Sequence, residues 1–266
     1  NWQRMKTGEW LKTKIILLIA LCLGAFVQVK AQTADEIVDK YVAATGGADR
    51  WSKLKTVRMS GSLDLAPGMK APFTIAMMDR TKMRFELEIQ GMKMIQALDG
   101  DSGWKVMPFQ GKTDPERMSE EEIRSSKEQA DYTGDLYDYK AKGSVVELLG
   151  KEDMEGTETF KLKVTKKNGD VKYMYIDATS FLALKETSKQ KFNDKEVEMS
   201  TINSNFQTVD GITLPFSIEM RGGDDQQGGG QAMTFDKIEI NPVIDAKLFV
   251  MPAMSSATAP AAGETK

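Results

Sequence analysis

Over residues 56–106 and again over 145–240, apolar side chains recur at every second position, and short turn signals interrupt the pattern. Val57, Met59, Gly61, Leu63 and Leu65 alternate with Arg58, Ser60, Ser62 and Asp64. Phe73, Ile75 and Met77 repeat the pattern. Met83, Phe85, Leu87 and Ile89 follow, opposed by Arg84, Glu86 and Glu88, and then Met92, Met94 and Leu98. In an extended chain a period of two puts successive side chains on opposite faces. This alternation therefore specifies antiparallel strands with one buried and one wet face. Pro67-Gly68, Asp79-Arg80, Gln90-Gly91 and Asp99-Gly100 stand where the chain must reverse. Trp104 and Val106 close this meander.

The second half reads the same way. Residues 145–149, 159–166 (Phe160, Leu162 and Val164 inward) and 171–176 form hairpins, with Asn168-Gly169 as a turn. Residues 181–190 and 195–205 pair around Asn193-Asp194. Asp210-Gly211 opens a strand in which Ile212, Leu214, Phe216, Ile218 and Met220 point one way. Residues 222–230 form a glycine-rich loop, 233–240 the last strand, and 245–249 one helical turn. Residues 253–266 read as a disordered tail.

Helical signals appear in two places. Thr33-Ala34-Asp35-Glu36 has capping-box spacing and opens a helix that Gly46-Gly47 ends. Ile37, Val38, Tyr41, Val42 and Thr45 share its apolar stripe. A short helical turn around residues 49–54 carries Trp51. Residues 108–143 then break the strand pattern. Pro108, Gly111 and Pro115 read as a loop. Ser119 to Glu122 form a second capping box, opening a helix over 119–131, and Tyr132, Leu136, Tyr137 and Tyr139 follow in a helical or irregular stretch. That helix is mostly polar, with Met118, Ile123 and Ala130 as its few apolar residues, so it lies over something instead of filling a core. The expected architecture is mainly β with α. A single curved antiparallel sheet, an incomplete β-barrel, would carry helices covering its concave face. One domain spans 32–252, with 108–143 as a helical lid insert.

The N-terminus reads as a secretory leader. Lys6, Lys12 and Lys14 precede an apolar run over residues 15–27, too short to favour a membrane span, and Val29-Lys30-Ala31 offers a cleavage site. Met5 reads as the initiator and Gln32 as the mature N-terminus. A lipid-anchored leader needs a small residue before its cysteine. Leu21 precedes Cys22, the only cysteine, which reads as one more apolar residue of the leader.

The chain carries 36 basic and 39 acidic residues. Five of the basic ones (Arg4, Lys6, Lys12, Lys14, Lys30) precede Gln32, so the remainder is clearly acidic and ill suited to nucleic acid. There is no histidine. Ser-His-Asp and Cys-His sites are therefore impossible, and zinc sites lack their usual ligands. Asp99-Gly100-Asp101-Ser102-Gly103 has the start of a calcium loop. Its twelfth position is Gln110, where a bidentate glutamate is needed, so it reads as a hairpin turn. Glu86/Glu88 and Glu196/Glu198 stand on the polar sides of strands and read as solvated faces. No catalytic residue, metal site or cofactor is expected.

The unusual feature is methionine, 17 in all. Met77, Met78, Met83, Met92, Met94 and Met107 all fall in the first meander. Methionine is flexible and polarizable, and suits surfaces that accommodate varied apolar partners. So wide a sheet has more apolar area than a few partly polar helices can cover, and uncovered apolar area in a secreted chain invites a ligand. The candidate lining is Met59, Leu63, Phe73, Ile75, Met77, Met83, Phe85, Leu87, Met92 and Met94, extended by Ile212, Leu214, Phe216 and Ile218.

Three stretches carry a family resemblance: the helix "TADEIVDKYVAATGG", the strand–turn–strand "YIDATSFLALKETSKQ" (175–190), and "VDGITLPFSIEM" (209–220). With the closing "FDKIEINPVIDAKLFVMP" (235–252), they resemble the periplasmic outer-membrane lipoprotein-sorting, LolA-like family over residues 33–252. The resemblance implies an incomplete β-barrel with a helical lid over an apolar cavity. It also implies a periplasmic carrier or sensor of lipid acyl chains or lipoproteins. The carriers' functional arginine has no matching motif here. Arg58 and Arg80 are unanchored, so no single residue carries over. The alternative is an envelope protein-interaction or scaffold module on the same fold, its core filled by its own side chains. A carboxylate-based hydrolase finds no support in the residues.

Overall fold

A computed structural model of the protein describes residues 32–192, 195–222 and 230–253. The leader at 1–31, all but the start of the 253–266 tail and most of the 222–230 loop lie outside the described residues. The first meander comprises β1 (Thr56–Ala66), β2 (Met69–Met78), β3 (Lys82–Ile89), β4 (Met92–Asp99), β5 (Ser102–Met107) and β6 (Lys112–Arg117). The second comprises β7 (Val145–Met154), β8 (Thr157–Thr165), β9 (Val171–Asp177), β10 (Ala183–Phe192), β11 (Lys195–Val209), β12 (Ile212–Gly222) and β13 (Gln231–Ile240). All thirteen form one sheet in the order β6-β5-β4-β3-β2-β1-β13-β12-β11-β10-β9-β8-β7. Apart from the β1–β13 seam, neighbours in the sheet are neighbours in sequence. β6 and β7 are free edges, so the sheet is open. Each strand is rotated by about 20–25° relative to the next, which curls so wide a sheet around one face.

The alternation read from sequence sets the register. Val57 pairs with Met77, Met77 with Met83, and Met83 with Leu98. Met59, Ile75 and Phe85 form the next row on the same inner face. Residues 112–117, expected as loop, are instead the edge strand β6, with Glu116 and Arg117 paired to Lys105 and Trp104. Lys-Thr-Asp-Pro-Glu-Arg has no apolar alternation to betray a strand, and Pro115 is tolerated because the edge leaves its missing donor unneeded. At the β1–β13 seam the register shifts at Gly61, opposite Phe235. The ring of Phe73 meets that of Phe235 edge-on, with centroids 5.5 Å apart.

Among the described residues, three helices sit on the inner face: α1 (Ala34–Ala44), α2 (Ala48–Lys53) and α3 (Glu120–Ala130). Ile37 and Val38 of α1 pack in a cluster with Val146, Phe160, Leu162, Val164, Met174 and Ile176. Trp51 of α2 and Ala130 of α3 join a second cluster on β1–β4, β12 and β13. The segment after α3 bridges the two: Leu136 is buried in the first and Tyr137 in the second. The α3 capping box forms as read, with the Ser119 amide donating to Glu122 Oε2 at 2.8 Å. After Gly46 and Gly47, both at positive φ, Thr213 N donates to Thr45 O at 3.1 Å, pinning the end of α1 to the β11–β12 turn. On the outer face, a 3-10 turn over Ala246–Phe249 folds back onto β3–β5, where Phe249 and Trp104 are buried.

Candidate functional site

All fourteen candidate lining residues lie at inner-face positions, as the cross-strand pairs require. They differ in cover. Leu63, Phe73, Met77, Met83, Leu87, Ile212 and Phe216 are buried in the cluster under α2 and α3. Met59, Ile75, Phe85, Met94, Leu214 and Ile218 pack against that cluster but keep part of their surface uncovered. Met92, near the rim, is 40% exposed. The inner face is therefore solid beneath and incompletely roofed above.

The sequence reading missed a second feature beside it. Between α3 and strands β8–β11 lie three adjoining clefts of 540, 410 and 300 Å3, and Glu128 and Lys172 line all three. Their other lining groups include Lys166, Asp135, Glu186, Ser188 and Thr201. Lys166 continues the inward parity of Phe160, Leu162 and Val164. Lys172 precedes Met174 and Ile176 on the same parity, and Glu186 is paired with Met174. Charges on an inward-facing period of two were the available signal, and they are easily taken for strand ends.

The charges form a network. Lys172 Nζ lies 2.7 Å from Asp135 Oδ2 and 3.7 Å from Glu186 Oε2. Lys166 Nζ lies 2.8 Å from Glu128 Oε2 and 3.2 Å from Asp135 Oδ1. Further along, Asp131 accepts from Arg80 Nε at 2.9 Å, from Thr133 Oγ1 at 2.6 Å, and pairs with Lys142 at 2.7 Å. Burial alone raises the Asp131 carboxyl, but the bonds from Arg80, Lys142 and Thr133 outweigh it and hold the pKa down to about 2. Asp135 likewise sits low, because Lys172 and Lys166 outweigh its burial. Glu186 goes the other way. Burial pushes its carboxyl up, Asp135 adds to the shift, and Lys172 and Lys166 only partly offset it.

The turn at Asp99–Ser102 is the hairpin read from sequence. Asp99 is paired with Lys82, and Asp101 lies 2.5 Å from Lys127 on α3. Among the described residues no group of three or more acidic, His or Cys side chains could hold a metal ion. No described helix is long and apolar enough to cross a membrane.

An open, curled antiparallel sheet with helices on its inner face is the LolA-like fold. A LolA superfamily protein from Nitrosomonas europaea has this fold at 16% identity and a TM-score of 0.54, covering 83% of this chain and 98% of that one. A DUF1329 family protein from Desulfovibrio piger gives 14% identity and 0.54 over the same shares of the two chains. A protein from Vibrio parahaemolyticus described as an outer membrane lipoprotein-sorting domain gives 12% and 0.51, covering 80% of this chain and 94% of that one. At these identities the likeness is one of fold. The chain itself belongs to a family of uncharacterized proteins, whose model, described as "-like: Uncharacterized protein", matches residues 79–256. The comparison with curated proteins finds no match.

Proposed function

We propose that the protein is a non-enzymatic periplasmic carrier or sensor of lipid acyl chains, acting in outer-membrane lipoprotein sorting. The observation that carries this reading is the incomplete roof over the inner face. Met59, Ile75, Phe85, Met94, Leu214 and Ile218 rest on a packed core yet stay partly uncovered, and Met92 opens the strip to solvent. Each methylene laid along such a strip contributes about 0.8 kcal/mol, so even part of one acyl chain binds usefully. Methionines in the strip adapt to chains of different shape. The leader read at residues 1–31 supports delivery across the inner membrane, and the Vibrio protein shares the fold. The partner is then an acyl chain or lipoprotein, with no cofactor and no nucleic acid.

The test is native mass spectrometry of protein purified from the periplasm, together with titration of a fluorescent fatty acid. Co-purified lipid and saturable uptake are expected. Recovery of lipid-free protein that takes up no fatty acid would sink the proposal. One observation favours the alternative of an envelope interaction or scaffold module: half of the candidate residues, Phe73 and Ile212 among them, are already buried by the protein's own side chains. On that reading fatty acid does not bind, and a crystal soaked with it shows the strip unchanged.

A further inference from the structure

The 300 Å3 cleft lies where the charged network meets the apolar strip. Glu186 pairs across the sheet with Thr201, and Thr201 with Met220. Ile218, two residues along from Met220 and on the same face, pairs with Met233, which pairs with Leu63. An unbroken inner-face path therefore runs from a carboxylate to the apolar strip. It crosses four strand spacings between Glu186 and Leu63, about 19 Å. Met199 and Met220 line the cleft together with Glu186, Ser188 and Thr201.

Glu186 is the incompletely partnered charge there. Its one ion pair among the described residues is with Lys172 at 3.7 Å, and that ammonium is already 2.7 Å from Asp135. Lys166 is shared between Glu128 and Asp135. Three carboxylates thus divide two ammonium groups, while Arg80 and Lys142 are turned to Asp131. The lining of the 300 Å3 cleft itself holds two carboxylates, Glu128 and Glu186, against one ammonium, Lys172, beside hydroxyls that can accept and donate. The Glu186 side chain, 30% exposed, is part of the lining of this cleft. Burial pushes its carboxyl up and Asp135 adds to the shift, while Lys172 and Lys166 offset it only in part.

Building on the acyl-chain reading above, we propose that this cleft is the headgroup end of the same site and takes a single primary ammonium, as on an ethanolamine phospholipid. The ammonium pairs with Glu186 and hydrogen-bonds Ser188 or Thr201, and the acyl chain runs over Met220 and Ile218 onto the strip. An anionic headgroup lacking an amine meets Glu186 and Glu128, with only Lys172, already 2.7 Å from Asp135, to receive it. A free amine offers the same chemistry without a chain, and the test separates the two.

The full chain is mixed with vesicles of equal parts phosphatidylethanolamine and phosphatidylglycerol carrying identical acyl chains, and the bound lipids are counted by native mass spectrometry. The wild type is expected to recover the ethanolamine lipid about tenfold over the glycerol lipid, the worth of one charged hydrogen bond. An acidic protein disfavours the anionic lipid in general, so the decisive quantity is the ratio in Glu186→Gln, which is expected to fall severalfold. Equal uptake of the two lipids by the wild type overturns the inference, as does an unchanged ratio in the variant. Fatty acid has no amine. Uptake of fatty acid with no preference between the phospholipids removes the headgroup assignment alone, whereas failure to take up any acyl chain removes the acyl-chain reading beneath it. Soluble ethanolamine is the last arm, followed by chemical-shift changes in the protein. Binding that needs Glu186, without phospholipid uptake, keeps the ammonium site and overturns the lipid as its source.

Discussion

The indole Nε1 of Trp104 donates a hydrogen bond to the backbone carbonyl of Phe249 at 2.8 Å, joining residues 145 apart in the chain. Both residues are buried on the outer face, where Trp104 stands opposite Ala97 across the β4–β5 pair. Arg84 completes the joint. Its guanidinium lies 5.1 Å from the indole ring and donates to Leu248 O at 2.9 Å. The C-terminal segment is therefore a strap that clamps β3–β5.

Trp104→Phe keeps most of the ring volume and removes the donor. A buried carbonyl left without its partner costs about 1–3 kcal/mol. In a chain of this size each kcal/mol lowers the Tm by roughly 2–4 °C. Thermal and urea unfolding of the variant are expected to show that loss. Phe249→Ala, which empties a fully buried site, is expected to cost more, about 3–5 kcal/mol. Equal stability of Trp104→Phe and wild type would mean the strap does not depend on this bond.

The strands were legible because one face is wet. Arg84, Glu86 and Glu88 announce β3 as clearly as Met83, Phe85 and Leu87 do. β6 was not legible, since an edge strand that buries neither face needs no alternation and Lys-Thr-Asp-Pro-Glu-Arg has none. The β1–β13 seam was also out of reach, because no local signal says which distant strands meet. In the candidate site, parity placed all fourteen apolar residues on the inner face, but it does not say how far helices roof them. Phe73 and Ile75 read alike in sequence, yet one is sealed and the other partly open. The charged clefts were missed because Lys166 and Lys172 flank the Asn168-Gly169 turn, where lysine is the ordinary solvated residue. Only the curl of the sheet brings them under α3.

Asp131 gives the lid a pH signature. Its folded pKa of about 2 lies below the ordinary value of 3.8. Its contribution is therefore fully present above about pH 4 and disappears as pH falls through 2. The shift corresponds to about 2 kcal/mol. Asp131→Asn is expected to lose about that much at pH 7, and the gap between variant and wild type is expected to close as the acid limb is descended. Urea midpoints at pH 7 and near pH 2 measure it. A gap independent of pH would show that the Arg80–Asp131–Lys142 cluster holds the lid by shape and not by charge.

Stability and lipid uptake should separate along the strip. Leu87 is buried and Met59 and Ile218 are partly open. Leu87→Ala is expected to cost about 2–5 kcal/mol of stability, the usual range for a filled core position. Met59→Ala and Ile218→Ala, whose surroundings are only half packed, are expected to cost less than that. Their fatty-acid affinity should nevertheless drop by severalfold, at about 0.8 kcal/mol per lost methylene contact. Fluorescent fatty-acid titration beside thermal unfolding reads both quantities. Unchanged affinity in both open-position variants would place the acyl chain elsewhere or nowhere.

The seam between the two meanders offers the sharpest test of the fold. β1 and β13 are the first and last strands, and their pairing alone unites the two local meanders into one sheet. At the register shift Gly61 lies against Thr234 and Phe235, and an added Cβ would collide with the Thr234 carbonyl oxygen and crowd the Phe235 Cα at 2.9 Å. Backbone cannot step aside as a flexible side-chain tip does, so the strands must part. Gly61→Ala is thus expected to destabilise the protein by about 1–3 kcal/mol, the range for overpacking a tight site. Gly68→Ala is the control: it sits in the β1–β2 turn, where an added Cβ meets nothing. Its cost is set by backbone strain at a positive φ of 79° and not by collision. Hydrogen exchange should separate the two. Gly61→Ala is expected to speed exchange along both β1 and β13, whereas Gly68→Ala is expected to affect only its own turn. Protection of β13 surviving intact in Gly61→Ala would mean that the seam tolerates the collision and the two meanders are held together from elsewhere.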